Sequence, residues 1–473
     1  FSDLNKLPMN SLISTLKTFT IRFYLYNLIQ GIERTSIWIL IIQLPIYIAQ
    51  ADAKGGLHWS HTEKGVLFAI WALSQNLTTI FSGYYADRFG RNIVIGITAL
   101  LCGVFIFSMN YSNSFLLFAI MLAATGISSG FFKPALQGAI ASEMNEENSA
   151  LGWSFYTWGI NAFIFAIGTP LAIYLSNISF WYVFTGAALV QLLIPLTILL
   201  FVKNTPTISN KSKFLFRDLL SAFSNKQLNL FTLSIVGFTI TYMQFYENLP
   251  NYIFDWMNTS DLVTYFGLSG DMVVATTIGK VVAYPWFYNL NTGLVLLLCI
   301  PFAFFSRKLN RLKLLLISIC LAIAGLLFSG LSVNGLYLAV GIIIYTLGEM
   351  IANPNINRYI ANLAPTENKS QYMGFTSIAW SLGLGFGAIF GGMIYDKFAD
   401  KSQLALQYCN MILNKFPAKN DALNLIMTTK HLNGADATLL LYYEFSPQVI
   451  WYIIAAIGLI STLQLIFFLQ KYK

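Results

Sequence analysis

The chain is 473 residues long, 56% hydrophobic, 16% aromatic and only 10% charged. That is too little polar surface to clothe a water-soluble globule of this size, so lipid must solvate it. The formal net charge of +8 gathers in short segments between apolar runs, which reads as membrane topology and excludes a nucleic-acid footprint.

A spanning helix needs about 20 mostly apolar residues to cross roughly 30 Å of hydrocarbon. Windows of that kind lie at 18–50, 61–82, 92–111, 113–142, 148–176, 180–202, 228–257, 281–304, 311–331, 335–363, 370–397 and 448–470. The first is too long for the apolar core of a signal peptide and is interrupted by Glu33 and Arg34, so it is expected to stay in the bilayer. Ser60-His61-Thr62-Glu63 has capping-box spacing and opens the second span, which makes His58 and His61 helix-start residues rather than metal ligands. The turn after it reads Gly83-Tyr84-Tyr85-Ala86-Asp87-Arg88-Phe89-Gly90-Arg91. There Asp87 is expected to pair with Arg91 and face a helix N-terminus, with Gly83 and Gly90 allowing close approach of a neighbouring helix. Gly83, Asp87, Arg88, Gly90 and Arg91 then form a conformational latch; the alternative is a basic stop signal.

Basic residues recur on one side: Arg88 and Arg91, the stretch 203–226, then Arg307, Lys308, Arg311 and Lys313, and finally Lys471 and Lys473. This alternation with twelve spans puts both termini in the cytoplasm. A Ser, Asn and Lys-rich linker at 204–226 divides an N-terminal six-helix bundle, 1–203, from a C-terminal one, 227–473. Two non-membrane segments, 258–280 and a long loop at about 398–447, fall outside. Cys102, Cys299, Cys320 and Cys409 are far apart without ligand spacing and read as core thiols.

The halves echo each other. The string from Pro301 to Arg311 repeats the basic turn with Ser306 in the place of Asp87, and Lys133-Pro134 in the fourth span is answered by Asn353-Pro354 in the tenth. Small residues at 374–392 answer those at 152–168, a pattern that lets helices pack closely.

Charges stand inside the apolar runs: Glu33, Arg34, Lys133, Glu247, Asp255, Glu349 and Arg358. Each costs about 2.5–3.5 kcal/mol at a helix centre on insertion scales, so each should face a polar cavity or a partner. Adjacent helical positions point in different directions, so Glu33 is expected to pair with Lys133 while Arg34 reaches another acceptor. A carboxylate that alternates between an apolar setting and a neighbouring cation is a proton switch. The alternative is that such pairs only lock helices together.

The turn at 83–91 resembles the signature loop of the major facilitator superfamily. The resemblance narrows to its proton-dependent oligopeptide transporter family on four stretches: Gln30-Gly31-Ile32-Glu33-Arg34, with Leu57-His58-Trp59-Ser60 before the second span; Phe132-Lys133-Pro134; Phe155-Tyr156-Thr157-Trp158-Gly159-Ile160-Asn161; and Gly348-Glu349 followed by Pro354 and Leu363-Ala364-Pro365. It implies an all-α membrane protein with twelve helices in two pseudo-symmetric bundles. It further implies proton coupling through Glu33, Arg34, Lys133 and Glu349, and substrate binding by Arg34, Lys133, Tyr156, Asn161, Glu247, Glu349 and Trp380. The expected function is secondary transport, a symporter importing small peptides or related zwitterions, with protons as the coupling ion and no cofactor, metal or enzymatic role. A small substrate and the bilayer are the expected partners, the chain acting as a monomer in a bacterial inner membrane.

Departures from the family pattern matter. Gln30 removes one carboxylate, Ile41 stands where a second Arg is usual, and Ile37 and Trp38 replace tyrosines. A carrier of a non-peptide solute, a proton-driven exporter and a substrate-sensing receptor remain the alternatives.

Overall fold

The computed structural model describes residues 16–50, 55–145, 148–202, 226–306, 311–363 and 369–472. The expected linker therefore lies almost wholly outside the described residues, as do Arg307, Lys308 and the Ala364-Pro365 step; so do the side chains of Asn353, Pro354 and Arg358.

The N-terminal half contains α1 (Ile21–Ala49), α2 (His61–Phe89), α3 (Arg91–Ser108), α4 (Phe115–Ser142), α5 (Ser149–Phe163), α6 (Thr169–Ile178) and α7 (Phe180–Phe201). Local chemistry sets these boundaries. Thr20 Oγ1 caps α1 by accepting from the Phe23 amide. At α2 both arms of the expected capping box form, and Gly90, at φ +95°, supplies the left-handed bend that separates α2 from α3. The fifth span is not one regular helix: α5 and α6 join through a π turn, Ile164–Gly168, and the Phe165 carbonyl accepts from Asn289 Nδ2 of the other half at 3.3 Å.

The C-terminal half begins with α8 (Lys226–Glu247), which is interrupted at Asn248 before the short α9 (Leu249–Trp256). The expected 258–280 loop is structured, with α10 (Ser260–Tyr265) and an antiparallel hairpin of β1 (Val273–Thr276) and β2 (Gly279–Val282) in which Val273 faces Val282. Then follow α11 (Pro285–Ser306), α12 (Arg311–Gly330), α13 (Gly335–Leu363) and α14 (Lys369–Phe398). The long segment before the last span folds into α15 (Lys401–Met411), α16 (Ala422–Lys430) and α17 (Gly434–Phe445), and α18 (Val449–Lys471) closes the chain. That segment packs on its own half: Trp256 Nε1 donates to the Ala399 carbonyl at 2.9 Å and Tyr442 Oη to the Leu331 carbonyl at 3.3 Å.

Among the described residues ten helices are long and apolar enough to cross a membrane; α11 and α14, of 22 and 30 residues, bring the long helical spans to the expected twelve. Their outward faces carry large apolar side chains such as Leu199, Phe201 and Leu463, a surface that only lipid covers at low cost. Of the four thiols, Cys102 and Cys409 are buried, whereas Cys299 is half-buried and Cys320 exposed.

The two cores differ in reach. One apolar cluster runs through both halves, joining Ile42, Leu67 and Phe68 to Tyr252, Tyr284, Ala388 and Tyr395. A second, with Phe23, Ala86, Val94, Phe132 and Leu136, belongs to the N-terminal half alone and lies at the end of the Asp87 turn. The halves are therefore packed together at the end where α2 begins.

Candidate functional site

Among the described residues, three polar groups stand out within the helices. The first is in the N-terminal half. Glu33 is 1% exposed and receives the Arg34 guanidinium in a two-pronged contact, Nε to Oε2 and Nη2 to Oε1, both 2.5 Å. The expected Glu33–Lys133 pair does not form, because two long side chains on adjacent residues curl back on each other. Gln30 Nε2 adds a third hydrogen bond to Glu33 Oε2 at 3.1 Å, Tyr156 Oη donates to Gln30 Oε1 at 3.0 Å, and Gln137 Nε2 donates to Tyr156 Oη at 3.3 Å. This chain of donors runs one way and ends on Glu33, which fixes it as an acceptor. Lys133, one turn before Gln137, is exposed and within electrostatic reach of both Arg34 and Glu33. Asn161 stays apart, its Nδ2 donating to the Thr157 carbonyl of its own helix at 3.0 Å.

The second group surrounds Glu349 on α13. Its Oε1 accepts from Tyr242 Oη at 3.0 Å and Tyr246 Oη at 3.1 Å, and its Oε2 from Asn291 Nδ2 at 3.0 Å. Asn291 is itself held by Thr346 Oγ1 at 2.9 Å. Trp380 meets Tyr242 edge-on at 5.4 Å between centroids, so the carboxylate sits in an aromatic frame. Trp38 of α1 meets Tyr246 edge-on at 6.5 Å, which links the two halves beside this frame. A carboxylate among aromatic rings, without a cation in its hydrogen-bond shell among the described residues, is suited to a ligand's ammonium.

Glu247 does not join that cluster, contrary to expectation. Tyr246 turns to Glu349 while Glu247, next along the helix, turns the other way, to Lys64 of α2. Both side chains are fully buried and Lys64 Nζ lies 3.6 Å from Glu247 Oε1. The Lys64 hydrogen bonds go elsewhere: to the Glu247 carbonyl at 2.8 Å, Asn251 Oδ1 at 2.9 Å and Asn248 Oδ1 at 3.3 Å, groups gathered by the break between α8 and α9. Around it, Asp255 accepts from Gln50 Nε2 at 2.7 Å and from Tyr395 Oη at 2.8 Å. Tyr284 Oη donates to the Ile42 carbonyl at 2.6 Å, and Asp396 receives the first amides of α2. Two glycines permit this contact, since a Cβ on Gly65 lies 2.2 Å from the Ala388 carbonyl and one on Gly392 lies 2.1 Å from that of His61. The third group is therefore a seal between the halves.

Sequence reasoning missed Lys64 and Asp396, although a signal was present. Lys64 stands in the first turn of α2 and Asp396 in the last turn of α14, each with the wrong sign for its helix dipole.

At the opposite end the Asp87–Arg91 pair forms at 2.8 Å, and Arg91 Nη1 donates to the Gly138 carbonyl at 2.7 Å. Arg88 lies over the Phe89 ring, 5.7 Å from its centroid. Gly90 is needed for its backbone angle. Gly83 is not needed for a close approach here, because a Cβ on it meets nothing within 4 Å among the described residues.

His61, Asp396 and Asp400 each bring one ligand atom within 4.8 Å of the others. They fit a metal poorly: both Asp396 oxygens accept from the α2 terminus, and Asp400 holds Lys419 Nζ at 2.6 Å and the Gln403 amide at 3.1 Å.

Comparison with known proteins adds four findings. A family model described as Major Facilitator Superfamily matches residues 27–388. "Multidrug resistance protein 2" of Bacillus subtilis (strain 168) is 22% identical over 351 residues, 72% of this chain and 82% of that protein. The fold is similar to that of the nucleoside transporter NupG, with TM-score 0.68 and 12% identity over 95% of this chain and 99% of that one. It is similar also to a POT family transporter in complex with 5-aminolevulinic acid, with TM-score 0.63 and 15% identity over 90% and 96%.

Proposed function

The chain belongs to the Major Facilitator Superfamily and is a transporter of that fold, and on this footing we propose that it is a proton-coupled carrier of a small amine-bearing zwitterion. The two halves rock about a central site, and the arrangement described above is the state closed at the α2 start, the end opposite the Asp87 turn. The basic residues flanking that turn support its being the cytoplasmic side, so the closed end faces outward.

The observation that carries this reading is the separation of charge after internal pairing. Glu33 and Arg34 neutralise each other, and so do Lys64 and Glu247. Asp255 is held within the seal by Gln50 and Tyr395, so among the described charges outside the seal Lys133 in one half and Glu349 in the other are left as opposite poles, the first exposed and the second framed by Tyr242, Tyr246 and Trp380. A solute with an anionic and an ammonium end satisfies both. The neutralised Arg34 and the apolar Ile41 leave one cation fewer than a peptide carboxylate clamp needs, which favours a compact solute over an extended peptide.

Coupling falls to Glu247. Its charge is tolerated in a buried place while Lys64 faces it. Parting the halves takes Lys64 away, and a proton on the carboxylate removes the uncompensated charge. Opening to the outside and proton uptake are thus one event; re-forming the pair expels the proton, which for symport leaves towards the Asp87 turn.

Uptake by vesicles containing the purified protein tests this. The solute is first found by a thermal-shift screen of amino acids, dipeptides, nucleosides and organic cations, since a ligand stabilises the state it binds. Accumulation under an inward proton gradient supports the symporter; accumulation of zwitterions only under the reverse gradient overturns it. The name of the multidrug relative favours a second reading, proton-driven export of lipophilic cations, and stabilisation by organic cations alone would establish that reading in its place.

A further inference from the structure

We propose that Asp396 is a conformational latch: its carboxylate, carried on α14, holds the sealed end shut by capping α2 of the other half, as the counterpart of the Asp87 turn at the opposite end. This rests on alternating access but not on which solute or ion is carried.

The first turn of any helix leaves amides without intrahelical partners. In α2 the local capping box accounts for two of the backbone donors: Ser60 Oγ accepts from the Glu63 amide at 3.1 Å, and Glu63 Oε2 from the Ser60 amide at 2.8 Å. The His61 and Thr62 amides remain. Asp396 takes both, Oδ1 from His61 at 2.8 Å and Oδ2 from Thr62 at 2.7 Å, and Oδ2 also accepts from the Thr62 hydroxyl at 2.6 Å. The cap that α2 lacks in its own half is thus supplied by the other.

The placement is costly for α14 alone. Asp396 lies in that helix's last turn, where the helix dipole disfavours negative charge, and α2 begins with the positive end of its own dipole and with Lys64. Each wrong-signed group has an opposite charge beside it in its own helix, Glu63 next to Lys64 and Lys397 next to Asp396, and finds its hydrogen-bond partners across the interface. Gly392, one turn before Asp396, has no side chain to hold the two helices apart. The titratable and charged groups nearby are His61, whose ring packs on Tyr395 at 4.1 Å, Glu63 and Lys64 in the first turn of α2, Lys397 and Lys401 beside Asp396 on its own half, and the Asp400–Lys419 pair, which is closed on that half. When this end opens, α14 keeps a carboxylate against its own dipole and α2 loses the partners of two amides. The latch therefore biases the carrier towards the state closed here.

The test is hydrogen–deuterium exchange on the full-length protein in lipid nanodiscs, read at both ends of α2. Asp396→Asn should raise the ratio of open to closed at the α2 start about tenfold, the scale of losing a charge-assisted hydrogen bond. Exchange then rises in the first turn of α2 and falls around residues 83–91 as that end closes. Thr62→Val, which deletes one of the three bonds and keeps the shape, moves both ends the same way by less, and serves where Asp396→Asn does not fold. Increased exchange at the α2 start with the far end unchanged overturns the latch, as does no change at all. Gly65→Val, a steric wedge at the same seal, separates the causes: if it shifts both ends while Asp396→Asn does not, the latch alone fails. If the wedge also leaves the far end unchanged, alternating access fails and the latch with it.

Discussion

Lys64 and Glu247 face each other 3.6 Å apart across the two halves with no solvent exposure, yet neither Glu247 carboxylate oxygen has a hydrogen-bond partner among the described residues. The attraction is therefore Coulombic, while three other oxygens satisfy the Lys64 ammonium. The two partners are thus not equivalent. Lys64→Met strands a buried carboxylate and should cost about 3–5 kcal/mol at alkaline pH, less as the pH falls and a proton neutralises Glu247. Glu247→Gln leaves Lys64 hydrogen-bonded and should cost less than half of that. Thermal unfolding of both variants in detergent checks the asymmetry; equal losses contradict it.

Lys133 makes no ion pair among the described residues, so Lys133→Gln should leave the melting temperature nearly unchanged. Affinity for a zwitterionic ligand should fall roughly tenfold to a hundredfold, the loss of one charge-assisted contact. Arg34→Lys should do the reverse of a conservative change, because an ammonium cannot reproduce the two-pronged contact with Glu33. Calorimetric titration and thermal unfolding of the two variants distinguish these outcomes.

Glu349→Gln keeps an oxygen for Tyr242 and Tyr246 but sets an amide nitrogen against Asn291 Nδ2. Folding should tolerate this, since Asn291 can turn its amide at the expense of its bond to Thr346. Amine-bearing ligands should bind at least tenfold more weakly, and ligands without an amine should be unaffected. The same affinity for both classes in variant and parent would remove Glu349 from the site.

Much of this was legible in the sequence, for physical reasons that also explain the failures. Long apolar windows locate spans because lipid demands continuous helix, and Ser60 and Glu63 locate a helix start because capping is local. The Asp87–Arg91 pair is legible for the same reason, the two residues being one turn apart. Helix geometry separates neighbours and so points Glu33 to Lys133, whereas long flexible side chains bring Arg34 back. Lys64 and Asp396 pair with residues 183 and 335 positions away, and no local pattern encodes such partners. Their wrong sign at helix ends was the available clue. The helices between 401 and 445 were not expected because that segment's polarity resembles a loop, although it buries Leu404, Tyr408, Ile426 and Leu441 against its own half.

Glycine substitutions separate the two ends of α2. Gly392→Val places a side chain into the His61 backbone and should unseal this end, whereas Gly83→Ala meets open space and should leave the closed state intact. Labelling of single cysteines introduced near the seal, in a background without Cys299 and Cys320, should show faster modification only for Gly392→Val. Equal rates in both variants contradict the assignment of the seal.

The account depends most on Glu247 linking proton movement to solute movement. Proteoliposomes loaded with a pH-sensitive dye and given the solute found in the screen measure that directly. The wild-type protein should acidify the lumen as solute enters, and Glu247→Gln should still exchange labelled for unlabelled solute while moving no protons. Undiminished acidification by Glu247→Gln would contradict the coupling assigned to this pair, as would solute accumulation by the wild type without acidification.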